Sequence, residues 1–148
     1  MEIRKGKKED LPQVMDLVME LAIYEKCPDQ VVNTVAQMEK DGFGENPVYG
    51  LLVADDGGQI VGISIYYYRY STWKGKRIWL EDLIVTESKR GSGIGKQLFD
   101  ATIEIGKQTA CTGMMWQVLD WNEPAINFYK KYFNASMETE WNNCHIDF

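Results

Sequence analysis

The chain has 148 residues, 45% hydrophobic and 26% charged, which suits one globular domain over residues 1–148 with a substantial core. With 22 acidic against 16 basic residues the net charge is −6, which argues against nucleic acid as the main partner; solubility is the first reason for such a total, and it also suits a cationic substrate. No apolar run reaches the ~20 residues of a membrane span, and Met1-Glu2-Ile3-Arg4-Lys5 lacks the apolar stretch of a signal peptide.

Glu2 to Lys5 reads as a short first strand. Asp10 is placed to cap a helix carrying Leu11, Val14, Met15, Val18, Leu21 and Ala22 at helical spacing. A second, short helix is expected from Asn33 or Thr34 to Asp41-Gly42, where glycine suits a C-cap. Val48 to Ala54 and Ile60 to Tyr68 read as strands joined by the hairpin turn Asp55-Asp56-Gly57-Gly58. Tyr66 and Tyr68 fall on one face of the second strand and Tyr67 on the other. After the turn Trp73-Lys74-Gly75-Lys76, Arg77 to Val85 makes a third antiparallel strand. A helix from about Gly93 to Thr109 follows, then a strand from Met114 to Leu119 and a helix opened by Asn122 with Pro124 just inside. Ala135 to Trp141 and Cys144 to Phe148 are expected to close the sheet. The order is β-α-α-β-β-β-α-β-α-β-β, a mixed α/β sandwich. Cys27, Cys111 and Cys144 are scattered and odd in number, which argues against a disulfide framework and a zinc site and points to reducing cytoplasm.

The most informative stretch is Arg90-Gly91-Ser92-Gly93-Ile94-Gly95, between the apolar strand end Leu83-Ile84-Val85 and a helix. A strand feeding a glycine-rich turn that opens a helix offers free backbone amides and the positive end of a dipole to phosphate oxygens. Two phosphate motifs fail on inspection. A Walker A loop has glycine where Arg90 stands and Ser or Thr where Gln97 follows Lys96; a dinucleotide fingerprint needs a third glycine where Lys96 stands. The pattern that fits is Arg/Gln-x-x-Gly-x-Gly/Ala, which the GNAT superfamily of N-acetyltransferases uses to hold the pyrophosphate of acetyl-CoA. Further segments, in order, extend the match: Glu20-Leu21-Ala22-Ile23-Tyr24-Glu25, Asp41-Gly42-Phe43-Gly44-Glu45-Asn46-Pro47, Leu80-Glu81-Asp82, and Trp121 to Lys130. Together they resemble the spermidine/spermine (diamine) and thialysine acetyltransferase branch of that superfamily, and the element order is that of the GNAT fold.

The resemblance implies acetyl transfer from the cosubstrate acetyl-CoA to an amine by direct attack. It implies cofactor contacts from Leu83, Ile84 and Val85, from Arg90, Gly91, Ser92, Gly93, Ile94, Gly95 and Lys96, and from Asn122, Glu123, Pro124 and Ala125. It implies substrate contacts from Tyr24, Glu25, Glu81, Met115, Trp116 and Gln117. Tyr129 matches the family's proton donor to the departing thiolate, a role that a phenol of pKa about 10 can fill at neutral pH. Glu81 matches the residue on the base side. Strict strand alternation would put Glu81 and Asp82 on opposite faces, leaving one of them solvated. At the family's last cofactor position this chain has Tyr132 instead of a basic residue. No nucleophile–histidine pair is evident, since His145 is the only histidine and lies near the C-terminus. The acceptor expected first is a polyamine or diamine, then thialysine or another amino acid, then a protein amine; a non-catalytic acyl-CoA-binding module is a further alternative. A homodimer is implied by the resemblance, with no metal, nucleic-acid or membrane partner.

Overall fold

A computed structural model describes every residue from Met1 to Phe148. Contacts gather the chain into two compact units, Met1–Gln117 and Val118–Phe148. The first is built on a five-stranded sheet: β1 (Glu2–Lys5), β2 (Gly50–Asp56), β3 (Gln59–Ser71), β4 (Gly75–Val85) and β5 (Met114–Met115), in spatial order β1-β2-β3-β4-β5. Neighbours are antiparallel except β4 and β5, which are parallel. Three helices cover it: α1 (Leu11–Tyr24), α2 (Val35–Phe43) and α3 (Ile94–Gln108).

Alternation along the strands divides the apolar side chains between two cores. Leu51, Val53, Ile63, Ile65 and Ile84 pack with Leu11, Val14 and Leu17 of α1 and Met38 of α2. Leu52, Ala54, Val61, Tyr66 and Ile78 pack with Ile94 and Leu98 of α3. Tyr66 and Tyr68 meet edge to face at 6.4 Å, while Tyr67 turns the other way, toward Trp79 at 6.5 Å.

Tertiary contacts change several local expectations. Asp10 does not cap α1. Its carboxylate instead takes both terminal nitrogens of Arg4, at 2.8 and 2.9 Å, and the Lys7 amide at 2.8 Å. A forked guanidinium outcompetes a neutral amide for a carboxylate, and Arg4 reaches Asp55 at the hairpin turn as well, at 2.8 Å. Thr34 does cap α2, accepting from the Gln37 amide at 3.1 Å. That helix runs past Gly42 to Phe43, however, and Gly42 sits inside it because the Tyr49 ring fills the space that a Cβ would need.

The decisive irregularity lies between β3 and β4. Ile65 pairs with Asp82, but the next residue, Tyr66, pairs with Leu80, so Glu81 is an extra residue without a strand partner. This is a β-bulge, which bends its strand and interrupts pairing on it. It also accounts for the length of β5. That strand follows β4 only at Ile78 and Trp79, where it contributes Met114 and Met115, and stops where β4 bends, instead of running to Leu119.

The second unit holds α4 (Glu123–Phe133). Asn122 Oδ1 accepts from the Ala125 amide at 3.3 Å and Pro124 occupies the first turn, as expected. Residues 134–148 form neither helix nor strand, contrary to the two closing strands expected there. Glu138, Glu140, Asn142, Asn143 and Asp147 have low strand propensity, and a strand needs an edge to pair with before alternation can fix it.

Two buried hydroxyls join the sheet to α3. Ser64 and Thr102, both 0% exposed, share a hydrogen bond of 2.7 Å, and Thr102 also donates to the Leu98 carbonyl at 2.8 Å. Thr102→Val keeps the shape but leaves the Ser64 hydroxyl unsatisfied. It should lower stability by about 1–3 kcal/mol in urea unfolding, and adding Ser64→Ala should recover most of the loss.

Candidate active site

The bulge decides what β4 presents to α1. Trp79 and Glu81 share a face, with Trp79 Nε1 donating to Glu81 Oε2 at 2.9 Å. Trp79 pairs with Tyr67, which by alternation shares the face of Ile65, a member of the α1 core. Asp82 pairs with Ile65 itself and is two residues from Ile84, also in that core. Glu81 and Asp82 therefore lie on the same face. The extra residue cancels one step of alternation, and the expectation that they point apart is corrected. Glu81 is exposed and Asp82 half-buried.

The last turn of α1 brings a third carboxylate, Glu25, whose amide closes the helix on the Leu21 carbonyl at 2.8 Å. Burial raises the Asp82 carboxyl to about 6, with repulsion from Glu81 and Glu25 adding to it. Burial also pushes Glu25 upward. None of the ion pairs of the structure involves Glu25, Glu81 or Asp82, while the Arg69 guanidinium lies over the Trp79 ring, 5.2 Å from its centre. The electrostatics favour a cation from outside.

Beyond Trp79 the other edge of β4 is free of strand pairing, from Leu80 to Val85. Leu83 and Val85 send their side chains to the α3 core and Ile84 to the α1 core, which leaves the backbone as what this edge offers. The strand leads through a short 3-10 turn, Glu87–Lys89, into the glycine turn. Gly91 and Gly93 adopt φ of +78° and +84°, which only glycine takes without strain. A Cβ at either would meet no protein atom within 4 Å, so the space in front of the turn is open. The first α3 hydrogen bond runs from the Gln97 amide to the Gly93 carbonyl at 3.1 Å, so the amides before it have no acceptor inside the helix. Buried Ile94 anchors the turn in the α3 core, and Gly95 lies near Val85. Ser92 Oγ donates to the Lys89 carbonyl, and Lys96 pairs with Asp100 at 2.6 Å. Open amides at a helix N-terminus fit the oxygens of a pyrophosphate.

Arg90, expected beside those phosphates, is turned toward α1. Its Nε donates to the Val85 carbonyl at 2.9 Å, a terminal nitrogen lies 3.4 Å from Glu20, and the guanidinium sits 5.4 Å from the centre of the Tyr24 ring. The structure thus groups Tyr24, Glu25, Glu81 and the glycine turn around β4 and the end of α1. Met115 joins the group through Trp79, which holds Glu81. Met115 pairs with Trp79 and has Arg69 at 4.0 Å from its sulfur, Trp116 packs edge-on against Phe99 of α3 at 5.0 Å, and Gln117 is exposed. In the second unit, Asn122 to Ala125 form the start of α4, and Tyr129 is buried with its ring 5.4 Å from Phe128. The residue that sequence reasoning passed over is Asp82. Its signal was the adjacent pair Glu81-Asp82 in an otherwise apolar strand, an arrangement that regular alternation cannot keep solvated on both sides.

A family model described as the acetyltransferase (GNAT) family matches residues 12–134, and the chain belongs to that family. It is an acetyl-CoA-dependent N-acetyltransferase with the fold of that family. It is 40% identical over 136 residues to the thialysine N-epsilon-acetyltransferase of Bos taurus, covering 86% of this chain and 80% of the relative. It is 34% identical over 149 aligned residues to the spermidine/spermine N(1)-acetyltransferase-like protein 1 of Homo sapiens, covering 95% of this chain and 21% of that protein. The crystal structure of a point mutant of the BH1408 protein from Bacillus halodurans matches with a TM-score of 0.77 at 25% identity, over 100% of this chain and 99% of that one.

The raised Asp82 carboxyl has a consequence for stability. A carboxyl whose pKa is higher in the folded state helps folding while protonated; the contribution is complete below about pH 4 and is lost as pH rises through about 6. Asp82→Asn should therefore change little at pH 4 and raise the stability of the ligand-free protein at pH 8 by about 1–3 kcal/mol. Urea midpoints at the two pH values measure this; equal effects at both would mean that Asp82 titrates as an ordinary carboxylate.

Proposed function

We propose that this acetyltransferase acts on the primary amine of a small cationic acceptor, with polyamines and diamines as the leading class. The observation that supports the reading is the set Glu25, Glu81 and Asp82, close enough to repel one another and in none of the ion pairs of the structure. An acceptor with two or more ammonium groups can keep one paired to a carboxylate while another gives up its proton to react. Asp82, titrating near 6, is suited to accept that proton near neutral pH, directly or through water. Exposed Glu81, oriented by Trp79, is suited to receive the charge of the acceptor.

Acetyl-CoA supplies the acetyl group as a thioester. The amides of Gly91 to Lys96 would hold its pyrophosphate, and the free edge at Leu83 to Val85 would hold its extended arm by strand-like hydrogen bonds. Asn122 to Ala125 would add contacts at the start of α4, and Tyr129 would donate a proton to the departing thiolate. A second reading, an amino acid with a side-chain amine such as thialysine, draws support from the name of the bovine relative. The same carboxylates would serve its two ammonium groups, while its own carboxylate would have to lie away from them. Action as a homodimer in the cytoplasm completes the proposal.

The direct test is a panel of monoamines, diamines, triamines, thialysine and lysine-bearing peptides, assayed by release of free CoA. Glu25→Gln should raise KM for triamines about five- to tenfold while leaving monoamines nearly unchanged, since one partly exposed charge pairing is worth about 1 kcal/mol. Peptides as the best acceptors, with no discrimination by Glu25, would overturn the polyamine reading. Tyr129→Phe keeps the ring and removes the proton, so turnover should fall about 10²-fold with acetyl-CoA affinity retained. An undiminished rate in single-turnover measurements would make Tyr129 a packing residue only.

A further inference from the structure

Glu20 lies one helical turn before Tyr24 on α1 and touches none of the groups expected to react. Its carboxylate nevertheless meets three residues of the segment that follows β4. One oxygen accepts the Thr86 hydroxyl at 2.9 Å; the other accepts the Glu87 amide at 2.9 Å and lies 3.4 Å from Arg90. Thr86, Glu87 and Arg90 are the residues that carry the chain from the free edge of β4 to Gly91. A single side chain of α1 thus holds the approach to the glycine turn at three points. Arg90, at the start of the turn, closes the circuit by resting on the ring of Tyr24.

From this geometry we infer that Glu20 is a positioning residue that ties the glycine turn to the acceptor end of α1, so that acetyl-CoA and the amine each bind more tightly when the other is present. The inference rests on the reading that the turn holds acetyl-CoA and the end of α1 faces the amine. The two short bonds of Glu20 go to Thr86 and Glu87, groups outside the open amides at Gly91 to Lys96. Phosphate oxygens can therefore occupy the turn without breaking the tie. A ligand that orders the turn then also orders Arg90 and, through the ring contact, the helix end that carries Tyr24 and Glu25. The second ligand meets a segment already ordered, which lowers the entropy it must overcome. Glu20 also acts through its negative charge. It sits beside a cation, Arg90, which would otherwise be drawn toward the pyrophosphate and away from Tyr24.

The test measures the affinity of a diamine acceptor by calorimetry, without and with saturating CoA, and the affinity of CoA without and with the diamine. In the wild type the two ratios should agree and be about fivefold or more, since coupling is reciprocal. Glu20→Gln, which keeps size but removes the charge, should bring both ratios close to one, and Arg90→Lys, which loses the Nε bond to Val85 and the guanidinium over the Tyr24 ring, should do the same. In the double variant the loss should be no greater than in either single one, because both cut the same connection. Affinities that fall equally in the presence and absence of the partner ligand would make Glu20 a structural residue and overturn the inference, as would a wild-type ratio of one. Thr86→Val covers the case of a poorly folded Glu20 variant, because it removes one of the three points and should lower the ratio part of the way; an unchanged ratio there also counts against the inference. Gly93→Glu separates the two levels. If that variant still binds CoA as the wild type does, the turn is not the phosphate site and the underlying reading fails; if it loses CoA while the Glu20 ratio is unchanged, only the coupling fails.

Discussion

One extra residue in β4 governs the chemistry of this fold. At Glu81 the pairing with β3 slips by one position, so two consecutive carboxylates face α1 instead of opposite layers. The same bend ends the pairing with β5 after Trp79 and leaves the edge from Leu80 to Val85 available. A regular strand could do neither. It would bury one carboxylate in the α3 layer or expose it uselessly, and it would zip β4 to β5 along the edge where an extended ligand has to lie. The acceptor face and the cofactor edge are two consequences of one irregularity.

Holding Asp82 half-buried beside Glu81 and Glu25 works against the ionised form, and the fold absorbs that strain through its two cores. Ile84 and Ile65 on the α1 side, and Leu83 and Val85 on the α3 side, fix the strand immediately after the bulge. The bulged segment is therefore anchored on both faces of the sheet just beyond its crowded carboxylates. The chain as a whole carries a net charge of −6, but that total says little about ligands. What matters is that Glu81 and Glu25 stand close enough to Asp82 to oppose its ionisation, and that none of the three is in an ion pair of the structure.

Much of this was legible in the sequence, for identifiable reasons. The glycine turn is written in residue types that have few other uses, and Gly91 and Gly93 take the positive φ that those types permit. Thr34 and Asn122 cap their helices as local chemistry dictates. The bulge was not read from the sequence, because the shift of phase it causes is carried by only the adjacent pair Glu81-Asp82, and its position is fixed by the register with β3. Asp10 was misread for a related reason. Its partner Arg4 lies on a different element, and a bidentate ion pair overrides a cap. Arg90 was placed with phosphates by the motif, while the structure directs it to Val85, Glu20 and Tyr24. The strands expected after Asn134 failed because alternation alone supplies no partner edge.

The central claim is that the bulge sets Asp82 among like charges to await a cation. Carbon-detected NMR titration of the labelled aspartate carboxyls addresses this directly, without and with a saturating diamine. The account predicts that Asp82 titrates near pH 6 in the free protein and that its midpoint falls when the diamine is bound, because an ammonium favours the ionised form. A midpoint near 4 that is indifferent to the diamine would contradict it.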